Sequence, residues 1–280
     1  FGAAVNGHLS TVFFKSVGLN VASDTFVQLS HMNIIGGMVV VIGDDPGANS
    51  SQNEQDNRHF AYMSYTPVIE PSNPTEVYTF YKEAARLAQE KKMPVILRLT
   101  THVCHTKEKV GFSGWESSQM DNTPMFDVKN GPYIPLTSEV FPKKHRALKK
   151  LAKVEKDTSM RILNRTVDHK NRKKGIITMG LPFQSVMDVI EKASDKPDIL
   201  KLGLIYPVPK EIIADFLRSH EEVKIVEELD DIIEKEIKTI AYDLKLSTVI
   251  YGKTDSEDRI GEYTPDKVYQ LLRKTWPQML

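Results

Sequence analysis

The strongest constraint on this chain comes from short apolar runs that are too uniform to be half-exposed strands and too short to be buried helices. Residues 38–42 (MVVVI), 94–100 (PVILRLT) and 175–179 (GIITM) are nearly continuous in large aliphatic side chains. A strand with one wet face alternates apolar and polar residues, so these runs predict strands covered on both faces. The segments between them carry the helical period instead. Residues 75–91 place Val77, Phe80, Tyr81, Ala84 and Leu87 on one face, after Asn73 as a cap and Pro74 at the first helical position. Strands alternating with helices predict α/β architecture with open parallel sheets.

Read in order, strands are expected at 11–15, 38–42, 68–69 and 94–100, with helices at 21–32, 53–62 and 75–91. The segment 101–137 is rich in Gly, Pro, Ser, Asn and Asp and loses periodicity, so it reads as a linker that enters a helix at 142–166. A second α/β unit follows. Its strands are expected at 175–179, 199–204, 223–226 and 248–251, with a turn at 180–182 and helices at 183–193, 209–219, 230–244 and 265–276. The 280 residues suffice for two domains, each with its own core. The expected division is 1–112, a connecting region 113–170, and 171–280. The first residue is Phe1, and 1–8 (FGAAVNGH) are helix-compatible without a cap, so they read as the tail of an element that begins upstream.

Charge and cysteine content exclude several classes of function. Lys plus Arg and Asp plus Glu both number 37, so no global basic field argues for nucleic acid. The basic stretch 143–153 reads as the solvated face of a helix. No apolar run approaches the roughly 20 residues that a membrane helix needs. The single cysteine, Cys104, permits no intrachain disulfide, which fits a reducing cytoplasm, and it cannot ligate an iron–sulfur cluster by itself. There is no GxGxxG, GxxxxGK[ST], HExxH or GxSxG pattern.

Ligands of open parallel sheets bind beyond the carboxyl ends of the strands. Two segments are expected there. The first is Ser16, Val17, Gly18, Leu19 and Asn20, between a strand and a helix. Gly18 lets backbone approach a ligand, and Ser16 and Asn20 offer hydrogen bonds; the competing reading is an ordinary turn with Asn20 as helix cap. The second is the polar loop 43–52 (GDDPGANSSQ) and its continuation 53–57 (NEQDN). Ser50, Ser51 and Gln52 are neutral donors and acceptors suited to a carboxylate or carbonyl, or else they satisfy the loop's own backbone. Asp44 and Asp45 are cation ligands or turn formers ahead of Pro46. The motif 101–105 (THVCH) suggests zinc only weakly, since zinc needs four ligands. Arg98, inside an apolar strand, faces either a substrate or a buried acid. Glu227 and Glu228 form either an acid–base pair or a contact between domains or subunits.

Residues 15–24 (KSVGLNVASD) followed by 43–56 (GDDPGANSSQNEQD) closely resemble the large subunit of indolepyruvate:ferredoxin oxidoreductases, in the thiamine-diphosphate-dependent 2-oxoacid:ferredoxin oxidoreductase superfamily. Residues 94–101 (PVILRLTT) and Val103-Cys104-His105 agree with it. In the second half, 202–209 (LGLIYPVP) and Val226-Glu227-Glu228 resemble the transketolase C-terminal-type domain of the same enzymes. The resemblance implies that 1–112 is part of a pyrimidine-binding domain, with Ser16 to Asn20 lining the cofactor pyrimidine and Ser50, Ser51, Gln52 and Asn53 on the substrate side. It further implies oxidative decarboxylation of a 2-oxoacid, with coenzyme A taking the acyl group and electrons passing through iron–sulfur clusters to ferredoxin. It also implies a smaller β- or γ-type subunit, oligomeric assembly and magnesium on the cofactor diphosphate. The family's activating glutamate is expected upstream of Phe1, in the helix that FGAAV continues, and its GDG…N magnesium motif is expected after the second domain. No catalytic residue is therefore assigned within these 280 residues. Two alternatives stand beside this reading: a non-catalytic assembly module of a split enzyme, and a related enzyme acting on pyruvate or another 2-oxoacid.

Overall fold

Each of the apolar runs becomes a buried strand. The structure, a computed structural model, describes residues 1–113, 123, 125–134 and 136–279. Helix α1 (Gly2–Val5) precedes β1 (Ser10–Lys15), which runs directly into α2 (Ser16–Leu29). There follow β2 (Met38–Asp44), α3 (Arg58–Ser64), β3 (Val68–Ile69), α4 (Pro74–Lys91), β4 (Pro94–Thr100) and the short α5 (Thr101–His105). Helix α6 (Val140–Glu155) leads to β5 (Arg165–Val167), β6 (Lys174–Met179), α7 (Gly180–Ile190), β7 (Asp198–Leu202) and β8 (Leu204–Tyr206). The chain continues through α8 (Lys210–Arg218), β9 (Glu222–Val226), α9 (Ile232–Asp243), β10 (Val249–Tyr251) and α10 (Pro265–Thr275).

Two five-stranded sheets result, in the orders β1-β2-β4-β3-β8 and β10-β9-β6-β7-β5. All pairings are parallel except β3 with β8 and β5 with β7, so each sheet carries one antiparallel edge strand. In the first sheet Met38 and Val40 on β2 face one apolar cluster with Leu19, Phe26 and Leu29 of α2. Val39 and Val41 face another, with Phe80, Ala84 and Leu87 of α4. Helices on both faces explain why the run has no polar alternation.

Several expectations require correction. At the start of the chain Phe1 occupies the N-cap position of α1. It is exposed, and its ring meets Tyr133 edge-on with 6.2 Å between centroids. The short helix behind it is fixed by burial of Ala4 and Val5 rather than by a cap. Residues 16–20 are not a turn: α2 starts at Ser16, because Ser16 and Leu19 are buried on the helix face that continues through Phe26 and Leu29. The helix expected at 53–62 starts at Arg58, since 53–57 are occupied by side-chain contacts described below. The helix expected at 142–166 ends at Glu155, and β5 follows a 3-10 segment, Thr158–Leu163. The turn expected at 180–182 is already α7. Part of the expected linker is α5, and residues 114–122 of it lie outside the described residues.

The strand expected at 199–204 is divided at Gly203. A Cβ on Gly203 would lie 2.2 Å from the Leu163 carbonyl oxygen and 2.8 Å from the Phe80 ring. Only glycine fits there, and beyond it the chain crosses to pair with β3 as β8. A strand from the second half therefore completes the first sheet.

Helix α4 begins as its sequence dictates. Asn73 Oδ1 accepts from the Glu76 amide at 2.8 Å, while Glu76 Oε2 accepts from the Ser72 amide at 2.7 Å. Such caps stabilise by about 1 kcal/mol. Chemical denaturation of Asn73→Ala is expected to show a loss of about that size with an unchanged m-value.

Candidate functional site

The carboxyl ends of the two sheets face each other across a seam of buried charge. Arg98, on β4, donates from Nε to Asp44 at 2.6 Å and from Nη1 to Glu70 at 2.8 Å. Glu70 follows β3 and lies against Gly180, the first residue of α7, where a Cβ would stand 2.1 Å from Glu70 Oε1. The backbone there has φ +52°, so both space and conformation require glycine. Arg58 makes a second bridge. It pairs with Asp56 at 2.6 Å beside it and with Glu227, beyond β9, at 2.7 Å. Arg98 and Glu227–Glu228 thus take the structural alternatives: a buried ion pair and an inter-sheet contact.

Five carboxyl groups (Asp44, Asp56, Glu70, Glu227 and Glu228) therefore surround two guanidiniums, and all seven residues are buried. Burial works against the charge on Arg58, but Asp56 and Glu227 outweigh it and raise its pKa well above the ordinary value. Burial likewise opposes the Asp56 carboxylate, yet Arg58 holds it down at about 2. Of the remaining acids, Glu227 and Glu228 lack enough cation. Burial raises Glu227 despite Arg58 and Lys253. Glu228 is pushed up to about 7; burial dominates, and the Tyr263 amide at 2.8 Å is the main opposing interaction. Among the described residues its Oε2 has no hydrogen-bond partner.

Beyond this seam, at the end of β1 and in the loop that follows β2, the edge is more open, and here the two expected segments meet. Ser16 Oγ lies 3.4 Å from Ser51 Oγ. The amides of Asn20 and Gln55 exchange hydrogen bonds, each at 2.9 Å. Gln55 Nε2 also donates to the Ser16 carbonyl at 3.2 Å and to Asn57 Oδ1 at 2.7 Å. Lys15 Nζ reaches Ser50 Oγ at 3.0 Å. Ser16 and Leu19 are buried, Val17, Gly18 and Ser51 half-buried, and Asn20, Ser50, Gln52 and Asn53 exposed. A cavity of about 380 Å³ opens beside them, lined in part by Asn20, Gln55, His59, Asp230 and Arg259.

Asp44 takes neither expected role, whereas Asp45 is a turn former. Asp44 is the partner of Arg98 and also accepts from the Asn57 side chain. Asp45 organises its own loop, accepting from the amides of Ser50 at 2.9 Å and Asn49 at 3.2 Å and from the Thr101 hydroxyl at 2.8 Å. Burial opposes its charge, but these donors hold it well below the usual carboxylate range. Cys104 is exposed, His102 Nδ1 faces Glu262 at 2.6 Å, and the described residues contain no group of three or more His, Cys, Asp or Glu placed to hold a metal. Among the described residues no helix is long and apolar enough to cross a membrane. Sequence reasoning missed Arg58 and Glu70. Their one signal was charge inside or beside apolar and glycine-rich segments, which does not name a partner 100 or more residues away.

The geometry places the chain in a class. Over 98% of its length it superposes on 54% of a 2-oxoglutarate:ferredoxin oxidoreductase from Magnetococcus marinus, with TM-score 0.66 and 14% identity. It also superposes on 76% of a split-gene transketolase, with TM-score 0.55 and 12% identity. The α/β fold with two parallel-dominated sheets is the one those proteins share. No family model matches the sequence. Individual relatives do match it: the indolepyruvate oxidoreductase subunit IorA of Methanothermobacter marburgensis is 36% identical over 275 residues, covering 96% of this chain and 44% of that protein. The IorA subunit of Pyrococcus abyssi is 34% identical over 264 residues, covering 93% of this chain and 41% of that protein. The chain is a sequence relative of the IorA subunits and spans a little under half of their length.

The raised Glu228 pKa has a consequence for stability. Between its unfolded value near 4.5 and about 7, the native protein holds a proton that the unfolded chain has released. Stability then falls as pH rises through that window, by about 3 kcal/mol at most, and is level above it. Unfolding free energies of Glu228→Gln measured from pH 4.5 to 8 are expected to lack this decline. An identical slope in both proteins would assign it to other groups.

Proposed function

We propose that this chain forms one wall of the active site of a thiamine-diphosphate-dependent 2-oxoacid:ferredoxin oxidoreductase that acts on indolepyruvate or a similar aryl-pyruvate. The observation that carries the reading is the meeting of 16–20 with 50–55 at the carboxyl ends of adjacent parallel strands. That is where open parallel sheets take ligands. The kinship to IorA subunits supports the substrate class. Residues 1–112 then serve as part of a pyrimidine-binding domain and 171–280 as a transketolase C-terminal-like domain, joined through 113–170.

The residues present suit one side of the cofactor. Gly18 sits inside α2, where glycine costs stability relative to alanine. Among the described residues a Cβ there would touch only Phe14, at an ordinary 3.5 Å, so packing against them does not explain the glycine. A flat ring lying against that position does. Bound thiamine diphosphate supplies the carbon nucleophile that releases carbon dioxide from the 2-oxoacid. Ser16 and Asn20 hold hydrogen-bonding groups beside the ring, and Ser50, Ser51, Gln52 and Asn53 present neutral donors to the substrate side. Iron–sulfur clusters do not fit this chain's own residues. The described side chains offer no clustered ligand set, and one cysteine cannot replace four. Those groups, the ferredoxin contact and a smaller partner subunit belong to other parts of the proposed assembly, which coenzyme A completes as acyl acceptor.

Gly18→Ala separates this reading from a structural one. In the assembled enzyme it is expected to raise unfolding free energy by about 0.5–1 kcal/mol while weakening thiamine diphosphate binding about tenfold or more. Ser51→Ala is expected to raise the KM for the 2-oxoacid about three- to tenfold, the value of one hydrogen bond. Unchanged cofactor affinity in the first and unchanged KM in the second would remove both segments from the site.

A further inference from the structure

The Arg58 guanidinium directs all three of its nitrogens to fixing one loop to one turn. Nε donates to Asp56 Oδ1 at 2.9 Å, and Nη2 to Asp56 Oδ2 at 2.6 Å. Nη1 donates to Glu227 Oε2 at 2.7 Å. Nη2 also reaches the carbonyls of Glu228 at 2.8 Å and Asp230 at 3.1 Å. Between those two carbonyls Leu229 is held in the left-handed region, with φ +58°. That conformation is costly for a residue with a branched side chain and persists only where surrounding contacts hold it. Here it aims two carbonyls at one cation. The anchor is itself fixed, because Glu227 accepts from the amides of Ile233 and Glu234 at the start of α9, at 3.2 and 2.8 Å.

The other end of the device reaches the candidate site. Arg58 closes the loop that carries Ser50 to Asn57. Three residues before it, Gln55 binds Ser16 and Asn20. One residue before it, Asn57 is tied to Asp44 and to the Ser16 carbonyl. Glu54 adds a second tether, accepting from the Gly47 amide at 2.6 Å and from the Gly261 amide of the second half at 2.7 Å. A buried ion pair contributes little net stability compared with well-packed apolar groups; its better-attested value is a single defined geometry.

Resting on the function proposed above, we propose that Arg58 is a positioning residue, through which the turn 227–230 of the second sheet sets the placement of the loop 45–57 and hence of the substrate side of the site. The residue touches neither ring nor substrate. It acts through Gln55 and the loop backbone, and the second half of the chain thereby controls a site built on the first.

The test compares two variants. Arg58→Lys keeps the charge but loses the fork of donors. Arg58→Met combined with Asp56→Asn and Glu227→Gln removes the charges together, so that none is left buried and unpaired. Amide hydrogen exchange is expected to speed up about tenfold or more at 45–57 and 228–231 in both, with 38–43 and 94–99 unchanged. In the assembled enzyme Arg58→Lys is expected to raise the KM for the 2-oxoacid about tenfold and to alter kcat by less than about threefold. Loop exchange at the wild-type rate in a folded variant overturns the proposal. So does acceleration spread evenly over strands and loop, or an unchanged KM. A wild-type enzyme that turns over no 2-oxoacid sinks the oxidoreductase reading instead, and the exchange measurement then decides the latch alone.

Discussion

Two arginines, buried between two sheets, govern how this chain is assembled. Arg98 joins β2, β4 and the residue after β3 from within one sheet, and Glu70, its partner, docks on the first residue of α7 in the other half. Arg58 joins the end of the polar loop to the residues beyond β9. Leaving one buried partner unpaired costs roughly 3–5 kcal/mol, so relative sliding of the two carboxyl edges is opposed wherever it separates these pairs. Five acids around two guanidiniums also leave Glu228 short of a counter-charge, and its carboxyl is neutral over part of the ordinary pH range. The seam thus sets orientation while carrying an electrostatic strain that pH can read.

The same seam divides the first sheet's carboxyl edge into two parts. The ends of β3 and β4 are closed by charge and by the second half. The end of β1 and the loop 47–55 beyond β2 stay more accessible, with polar side chains that bond mainly to one another. An accessible polar edge beside a rigid, closed one is a fitting frame for a cofactor that has to be held by groups which do not relax when it binds. On the proposed function, the first half supplies the groups and the second half their stability of place.

Much of the fold was legible because burial on both faces leaves no freedom in pattern: MVVVI, PVILRLT and GIITM have no reading but a covered strand. The cap at Asn73 was legible because its side chain bonds locally, to the amide of Glu76. Boundaries failed where a distant group decided them. Ser16 is helical because Leu19 is buried under a strand that the local sequence does not name. Residues 53–57 are not helical because Gln55, Asp56 and Asn57 bond to Ser16, Asp44 and Arg58 instead of to their own backbone turn. The division of 199–204 depends on Gly203 meeting Leu163 and Phe80, contacts separated by 40 residues or more. The candidate segments themselves were found from strand ends and polar composition. Their mutual contact, and the role of Arg58 behind it, required three dimensions.

The account stands on the claim that the joined segments 16–20 and 50–55 form a cofactor wall. The most direct measurement is an experimental density map of the complete enzyme with thiamine diphosphate bound. The cofactor's pyrimidine ring is expected in van der Waals contact, within about 4 Å, of the Gly18 backbone and its neighbours, with Ser51 on the side where a 2-oxoacid enters. A ring seated elsewhere, with Ser16, Asn20 and Gln55 packed only against one another, would contradict it.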